Sequence, residues 1–305
     1  MNGESSGLDN VVIVGPGRMG LALGAAFRHQ GAVDRLTYFG RAMEPPPHPL
    51  FDPHPIAGDA DAAPAGAEYH MLPAAPPPST TVVILAVPDD ALAEVVHDLS
   101  NMGAAPSGCV ALHLSGALST DALAPLHHRG YAIGSMHPLM AVADPWLAGD
   151  RLVGAAFAMT GEPVANSAAR RLVSALGGVP LTIAATQRPL YHAAAVVASN
   201  YLVALTGAAV RMLEEAGVDG DDAVPALLPL LRGTLDNIEH LGVRAAVTGP
   251  IARGDVDTVR LHLARLSGAD RVLYSGLGLE LLRLARAAGL DEGRAAEIES
   301  LLTSG

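Results

Sequence analysis

The sequence predicts an α/β protein: an N-terminal Rossmann-type parallel sheet domain followed by an all-α C-terminal domain. Three observations carry this. The apolar, β-branched run Val11–Val14 passes directly into Gly15-x-Gly17-x-x-Gly20 and then into a helix-forming stretch. Continuous apolar runs such as Thr81–Val87 and Val110–Leu114 then alternate with helical patterns, as buried parallel strands do. From Gln187 to the end the pattern is helical. A length of 305 residues allows two domains with their own cores, placed at 1–186 and 187–305.

The first strand covers 11–14 and the first helix about 19–29. The glycines between them sit where a dinucleotide pyrophosphate touches backbone. Gly15 permits the tight turn, Gly17 lets the phosphates approach and Gly20 lets the helix lie close to the strand. The N–H groups at the helix start then hold the anion. A second strand, Arg35–Phe39, ends where ribose recognition is expected. NAD sites carry Asp or Glu there, whereas this chain has Phe39-Gly40-Arg41. The missing carboxylate and the planar Arg41 cation, with Arg18 in the loop, point to a 2′-phosphate and so to NADP(H). The residues expected to touch cofactor are Gly15, Pro16, Gly17, Arg18, Met19, Gly20, Arg41, Ala86, Val87, Pro88, Ser115 and Gly116.

Eleven of the 23 prolines fall in Ala42–Thr80, which excludes regular helix and central strand there. This stretch reads as an extended insertion around a short third strand near Glu68–Leu72, with His48, His54 and His70 on its surface. The strand Thr81–Val87 follows, then a helix over Ala91–Leu99 that Asp89 or Asp90 can cap. Strands at Val110–Leu114, Tyr131–Ser135, Val153–Met159 and Pro180–Ile183 alternate with helices near Thr120–His128 and Pro163–Leu176. A long helix over Leu190–Leu213 opens the second half, which is broken near Gly217, Gly242–Pro250 and Gly268. Asp255 is placed to cap a helix over Val256–Leu266.

Composition excludes several function classes. The net charge of −12 leaves no basic stripe for nucleic acid. Cys109 is the only cysteine, so there is no intrachain disulfide and no cysteine-based metal cluster, and its apolar surroundings make it a core residue. No metal site is expected. Met1–Asn10 is polar and acidic without a signal-peptide pattern, which fits a soluble cytoplasmic protein. Leu190–Val210 approaches the length of a membrane span but carries His192, Ser199, Asn200 and Thr206 and lacks basic flanks. It reads instead as a buried or dimer-interface helix, and a homodimer is expected. Every basic residue is arginine, so no scheme that needs a catalytic lysine applies.

Sites in open parallel sheets gather at the carboxyl ends of strands. Ser115, His137 and the Val87-Pro88 edge fall there. A hydroxyl and an imidazole at neighbouring strand ends suit binding of a substrate oxygen and movement of its proton. His192, Val196 and Ser199 share one face of the long helix, with Asn200 beside it. Arg253, on a glycine-flanked loop, suits a substrate carboxylate. Each has a plain alternative: a loop-bonded His137, a turn serine at Ser115, interhelical bonds for His192 and Asn200, and an interdomain ion pair for Arg253.

Five segments fall together in order: Val82–Leu92, His113–Leu123, Gly134–Val142, Tyr191–Leu205 and Thr248–Asp255. They resemble a bacterial family that joins a Rossmann-like domain to a C-terminal helical domain of unknown function. That family lies among the 6-phosphogluconate dehydrogenase-like proteins, beside β-hydroxyacid dehydrogenases, pyrroline-carboxylate reductases and prephenate dehydrogenases. The resemblance implies an NADP(H) oxidoreductase acting on a small carboxylate-bearing carbonyl, alcohol or imine. One branch is an alternative ketopantoate reductase, which implies a 2-oxo acid. Hydroxyacid dehydrogenases use Lys-x-x-x-Asn on the first interdomain helix; here Asn200 stands for the asparagine but Val196 holds the lysine position. Gly134-Ser-Met-His137-Pro138 is similar to the Gly-x-His-Pro segment of prephenate dehydrogenases, and Ser115 matches their serine at the preceding strand end. The resemblance therefore implies His137 as the acid–base group, with Ser115 and Asn200 orienting substrate. Two other classes stay open: a non-catalytic NADP-binding sensor or interaction protein, and a prephenate-dehydrogenase-like enzyme.

Overall fold

The computed structural model describes residues 9–51 and 66–304. Its chain divides into two compact units, Met1–Ser199 and Asn200–Gly305. The first is built on eight strands: β1 (Asp9–Val14), β2 (Val33–Gly40), β3 (Ala67–Met71), β4 (Val82–Leu85), β5 (Val110–His113), β6 (Ala132–Pro138), β7 (Ala156–Gly161) and β8 (Val179–Thr182). They form one sheet in the order β3-β2-β1-β4-β5-β6-β7-β8. The helices of this unit are α1 (Arg18–His29), α2 (Asp89–Asn101), α3 (Ala124–His127), α4 (Pro145–Leu152), α5 (Pro163–Ala175) and α6 (Arg188–Ala198). The division expected at 186/187 thus lies before α6, which folds with the sheet.

Strand alternation explains the two-sided burial. Val11 and Ile13 of β1, Val82 and Ile84 of β4, and Val110 and Leu112 of β5 face a core filled by Leu23 and Phe27 of α1 and Leu172 of α5. Val12, Val14, Val83, Leu85 and Ala111 face the other core, filled by Leu92, Val96 and Leu99 of α2 with Leu123 and Leu126. Both faces are dry, so these strands read as unbroken apolar runs. Cys109 is buried as expected, and burial pushes its thiol up to about 12. Tyr38, also buried, donates from its hydroxyl to the Gly20 carbonyl at 2.8 Å and ties β2 to α1. Burial holds that hydroxyl far above the ordinary tyrosine range.

The sheet is not wholly parallel. β6 and β7 run antiparallel, while the other neighbours pair in parallel. The connection between them forms α4, which packs on α1, instead of returning along the sheet as a crossover helix. The chain therefore re-enters the sheet in the opposite direction. One consequence bears on the site. β5 stops pairing with β6 at Ser135, but β7 continues the ladder, and His137 pairs with Ala158. His137 is a strand residue, not the loop residue expected after Ser135.

Three other expectations need correction. The helix expected over Leu190–Leu213 breaks: α6 ends at Ala198, Ser199 has φ −112° and ψ −68°, and a new helix starts at Asn200. His48 is buried, not on the surface, because its ring packs on Trp146 at 4.9 Å and its Nδ1 accepts from the Leu50 amide at 3.3 Å. Asp89 is the first residue of α2 and not its cap; Pro88 holds the cap position. The third strand lies where the sequence places it and His70 is exposed, while His54 lies outside the described residues.

The second unit contains α7 (Asn200–Glu215), α8 (Gly220–Ala245), α9 (Gly249–Arg253), α10 (Val256–Arg265), α11 (Gly268–Ala287) and α12 (Glu292–Thr303). Asp255 caps α10 as expected, accepting from the Thr258 amide at 3.1 Å. Ile251, Val259, Leu263, Leu282, Ile298 and Leu302 form a core among α9 to α12. By contrast, α7 buries only Ala208 and α8 only Ala223, so two largely apolar helices contribute little to any interior of the chain.

Candidate active site

The glycine loop links β1 to α1 at the point where the sheet order reverses, with β2 on one side of β1 and β4 on the other. This is the switch-point crevice of a doubly wound sheet. Gly15 has φ +103° and its amide donates to the Phe39 carbonyl at 2.9 Å. A Cβ there would lie 2.6 Å from the Ala86 carbonyl oxygen and 2.8 Å from Val87. A Cβ on Gly20 would strike the Gly15 carbonyl. A Cβ on Gly17 would meet nothing within 4 Å. The loop is therefore packed shut behind Gly15 and Gly20 and open in front of Gly17. The Gly17 carbonyl takes the Leu21 amide as the first helical bond, so the amides of Arg18, Met19 and Gly20 have no acceptor inside the helix. These residues fit a pyrophosphate, with Ala86 and Val87 forming the adjacent wall.

Arg41, at the end of β2, pairs with Glu94 of α2 at 3.0 Å. The two side chains are 66% and 68% exposed, and such pairs contribute about 0–1 kcal/mol. Arg41 is free in energetic terms to exchange that partner for a phosphate.

The groups at the ends of β5 and β6 are more tightly organised than the sequence suggests. The Ser115 hydroxyl donates to Asp89 Oδ2 at 2.9 Å and accepts from the amides of Ala117 and Leu118 at 3.2 and 3.0 Å. Its one donor and two acceptor sites are filled. Ser115 thus shapes the turn after β5 through bonds within the chain.

Next in the chain, buried Gly116 leaves room for two imidazoles. A Cβ at Gly116 would lie 2.5 Å from His192 Nδ1 and 2.9 Å from His137 Nε2. These nitrogens, from β6 and α6, converge on one spot. His192 Nδ1 is buried without a hydrogen-bond partner. The far nitrogen of His137, Nδ1, lies 2.7 Å from the Tyr191 hydroxyl. Burial lowers the His137 pKa from 6.5 to about 4, and the charges of His192 and Arg188 add to the effect. His137 is therefore neutral at pH 7.

Arg188 was not foreseen from the sequence. It is 1% exposed. Its Nε donates to the Leu118 carbonyl at 2.8 Å, and Nη1 donates to Ser135 Oγ at 2.7 Å and Thr160 Oγ1 at 3.3 Å. Nη2 donates to the Ser115 carbonyl in a short bond. One guanidinium thus clamps the loop after β5 to β6, β7 and α6. Burial lowers its pKa, and Tyr191 and Asp89 oppose that shift. His113, beneath it on β5, is fully buried with neither ring nitrogen hydrogen-bonded. Its pKa also falls from 6.5 to about 4, first by burial and then by Arg188, with His137 adding a smaller push. The signals that could have flagged Arg188 and Tyr191 were an arginine opening an otherwise apolar helix and a tyrosine beside His192.

The remaining candidates lie in the second unit. Asn200 is the exposed first residue of α7. Arg253 ends α9 and lines a cavity of about 390 Å³ with Asp291 and Arg294. Among the described residues no group of three or more His, Cys, Asp or Glu side chains could hold a metal ion.

Comparison with known proteins agrees with this architecture. Residues 70–138 match a Rossmann-like domain and residues 155–281 match the domain of unknown function DUF2520. The chain thus carries the two-domain combination that its sequence resembles. No curated protein matches it. Among solved structures it is similar to protein TM1727 from Thermotoga maritima, with 22% identity, a TM-score of 0.63, and coverage of 91% of this chain and 99% of that one. It is similar to the candidate NADP oxidoreductase BF3122 from Bacteroides fragilis, with 18% identity, a TM-score of 0.59, and coverage of 92% and 97%. It is also similar to the Plasmodium falciparum pyrroline carboxylate reductase with NADP bound, with 11% identity, a TM-score of 0.58, and coverage of 97% and 100%. At these identities the likeness is one of fold.

Two outcomes follow from the buried charges. Replacing Arg188 by Met leaves the Ser115 and Leu118 carbonyls without their donor, and the loss should destabilise the protein by about 3–5 kcal/mol, read from urea unfolding. Because His113 and His137 titrate near 4 in the fold and 6.5 is their ordinary value, the unfolded chain takes up protons first as pH falls. Stability should be full above about pH 6.5 and decline toward about pH 4. Urea midpoints compared across that range should show this slope, and His113→Asn should flatten it.

Proposed function

We propose that this protein is an NADP(H)-dependent oxidoreductase for a small carboxylate-bearing carbonyl, alcohol or imine, a 2-oxo acid such as ketopantoate included. The observation that carries the reading is the glycine cradle, closed behind Gly15 and Gly20 and open before Gly17, with two imidazole nitrogens meeting beside Gly116. The likeness in fold to an NADP-bound reductase supports it. Arg18, Met19 and Gly20 would hold the pyrophosphate through their amides, Arg41 the 2′-phosphate, and Ala86, Val87, Pro88, Ser115 and Gly116 would border the dinucleotide. The nicotinamide, when bound, supplies or takes the hydride.

The chain's own task is then the proton. His137 Nε2 is the group placed to give or take it, with His192 Nδ1 as the second contact. Ser115 holds the loop that seats both. Asn200 and Arg253 are assigned to substrate, Arg253 to its carboxylate. Arg41→Ala should weaken NADPH binding about tenfold or more while leaving NADH unchanged, measured by calorimetry. His137→Ala should lower turnover of an identified oxo acid or imine about 10²–10⁴-fold. Binding of NADPH without oxidation across a broad panel of such substrates would favour the sensor reading instead, which the absence of lysine motivates.

The same reading includes a homodimer. The stretch Ala185–Glu215 is long and apolar enough to cross a membrane by length and composition, with a mean hydropathy of 1.7, yet 6% of that window is buried in the chain. Val203 on α7 is 73% exposed and Leu230 on α8 is 67% exposed. Apolar faces of this size call for a partner surface, and a second copy provides one. Sedimentation velocity should give a dimer, and Val203→Arg with Leu230→Arg should give monomer.

A further inference from the structure

The neutral state of His137 raises a question that the reductase reading leaves open. Reduction of a carbonyl requires a proton at the new alkoxide. A neutral imidazole that gave up its only N–H would become an imidazolate, which is far too basic to form unaided. The chain has no lysine to replace it. The geometry around His137 supplies another route.

We propose that Tyr191 acts through His137: its hydroxyl donates to Nδ1, holds the ring in the Nε2–H tautomer, and refills the ring with a proton as Nε2 gives its own to the substrate oxygen or nitrogen. The contact between the Tyr191 hydroxyl and Nδ1 is 2.7 Å, a good length for an O–H donor. Nε2 lies on the opposite side of the ring, toward the spot beside Gly116 that it shares with His192 Nδ1. The rings of His137 and Tyr191 stand edge to face, 5.6 Å apart at 86°, so the hydroxyl is held in place by packing as well as by its bond. Both residues are at least partly buried.

The bonds balance. The Nε2–H bond breaks as the substrate O–H or N–H bond forms. The tyrosine O–H bond breaks as Nδ1–H forms, so the imidazole ends neutral in its other tautomer. The electron pair left on the tyrosine oxygen is a phenolate, and solvent later returns its proton. In the oxidative direction the same transfers run backwards. The phenolate needs a nearby cation, and Arg188, three residues earlier on α6, acts on Tyr191 in that sense, against the larger upward push of burial. The charged and titratable groups that face this pair are Arg188 and His192 from α6 and His113 from β5, while Asp89 of α2 acts on Arg188. An arginine suits this role because it stays charged when buried.

The proposal rests on the reductase reading for its substrate but not for its hydrogen bond, and the experiment separates the two. Imidazole ¹⁵N spectra of the wild-type protein should show His137 as the Nε2–H tautomer; Nδ1–H would overturn the proposal, with no variant needed. In Tyr191→Phe the preference for the Nε2–H tautomer should weaken, read from the same ¹⁵N shifts, because the donor that holds Nδ1 unprotonated is gone; an unchanged tautomer ratio would overturn the tyrosine's part in the relay. With a substrate in hand, Tyr191→Phe should lower kcat about tenfold or more with KM little changed. An unchanged kcat and pH profile in a folded variant would sink the relay while the reductase reading survives on wild-type turnover. If no substrate oxidises NADPH, the reductase reading fails and the spectra still decide the tyrosine–histidine bond.

Discussion

Among the described residues of the sheet unit, the guanidinium of Arg188 is the one charge that the fold removes from water without giving it a carboxylate in contact. Its donors go to two carbonyls of the loop after β5 and to hydroxyls on β6 and β7. Taking such a group out of water costs several kcal/mol unless its donors are met, and here four hydrogen bonds from its five N–H donors go to the segments that carry the candidate site. The loop that seats Gly116, the strand that carries His137 and the helix that carries Tyr191 and His192 are thereby held to one point. The clamp also accounts for the association of α6 with the sheet, although the composition of α6 resembles that of the helices after it.

The same cation adds to the chemistry around it. Burial is the first reason that His113 and His137 stay neutral, and the positive charge of Arg188 disfavours their protonation further. A lysine in this place could have shed its proton and relieved the strain; an arginine does not. His137 and Tyr191, the pair proposed above to move the proton, thus lie beside a fixed positive field. Asp89 contributes from the opening turn of α2, where it fastens the Ser115 hydroxyl and opposes the desolvation of Arg188.

The two units meet folding requirements in different ways. The sheet buries strands on both faces with helices on each side, which gives a core from Val, Leu and Ala with few aromatic residues. In the helical unit, α9 to α12 surround a small core, while α7 and α8 keep most of their apolar side chains uncovered. Helices of that composition are stable in water only when the apolar face is covered. A second copy of the chain, as proposed above, would cover it.

Much of this was legible in the residues. The glycine spacing after Val14 specifies a backbone path that few other residues allow, and the continuous apolar runs specify strands buried on both sides. Asp255 was recognisable as a cap because capping is local. Less was legible where the outcome depended on partners far away in the chain. Nothing near residue 137 announces that β7 will run antiparallel and extend β6 past Ser135. His48 became buried because Trp146, almost a hundred residues on, packs against it. The apolar pattern through Leu190–Leu213 is continuous, so the break at Ser199 left no periodic trace. What the sequence determined by itself was the set of local geometries: turns, caps and buried faces. The tertiary structure alone decided which polar side chains share a dry space, and therefore which of them are charged, because desolvation and proximity are properties of the assembled fold.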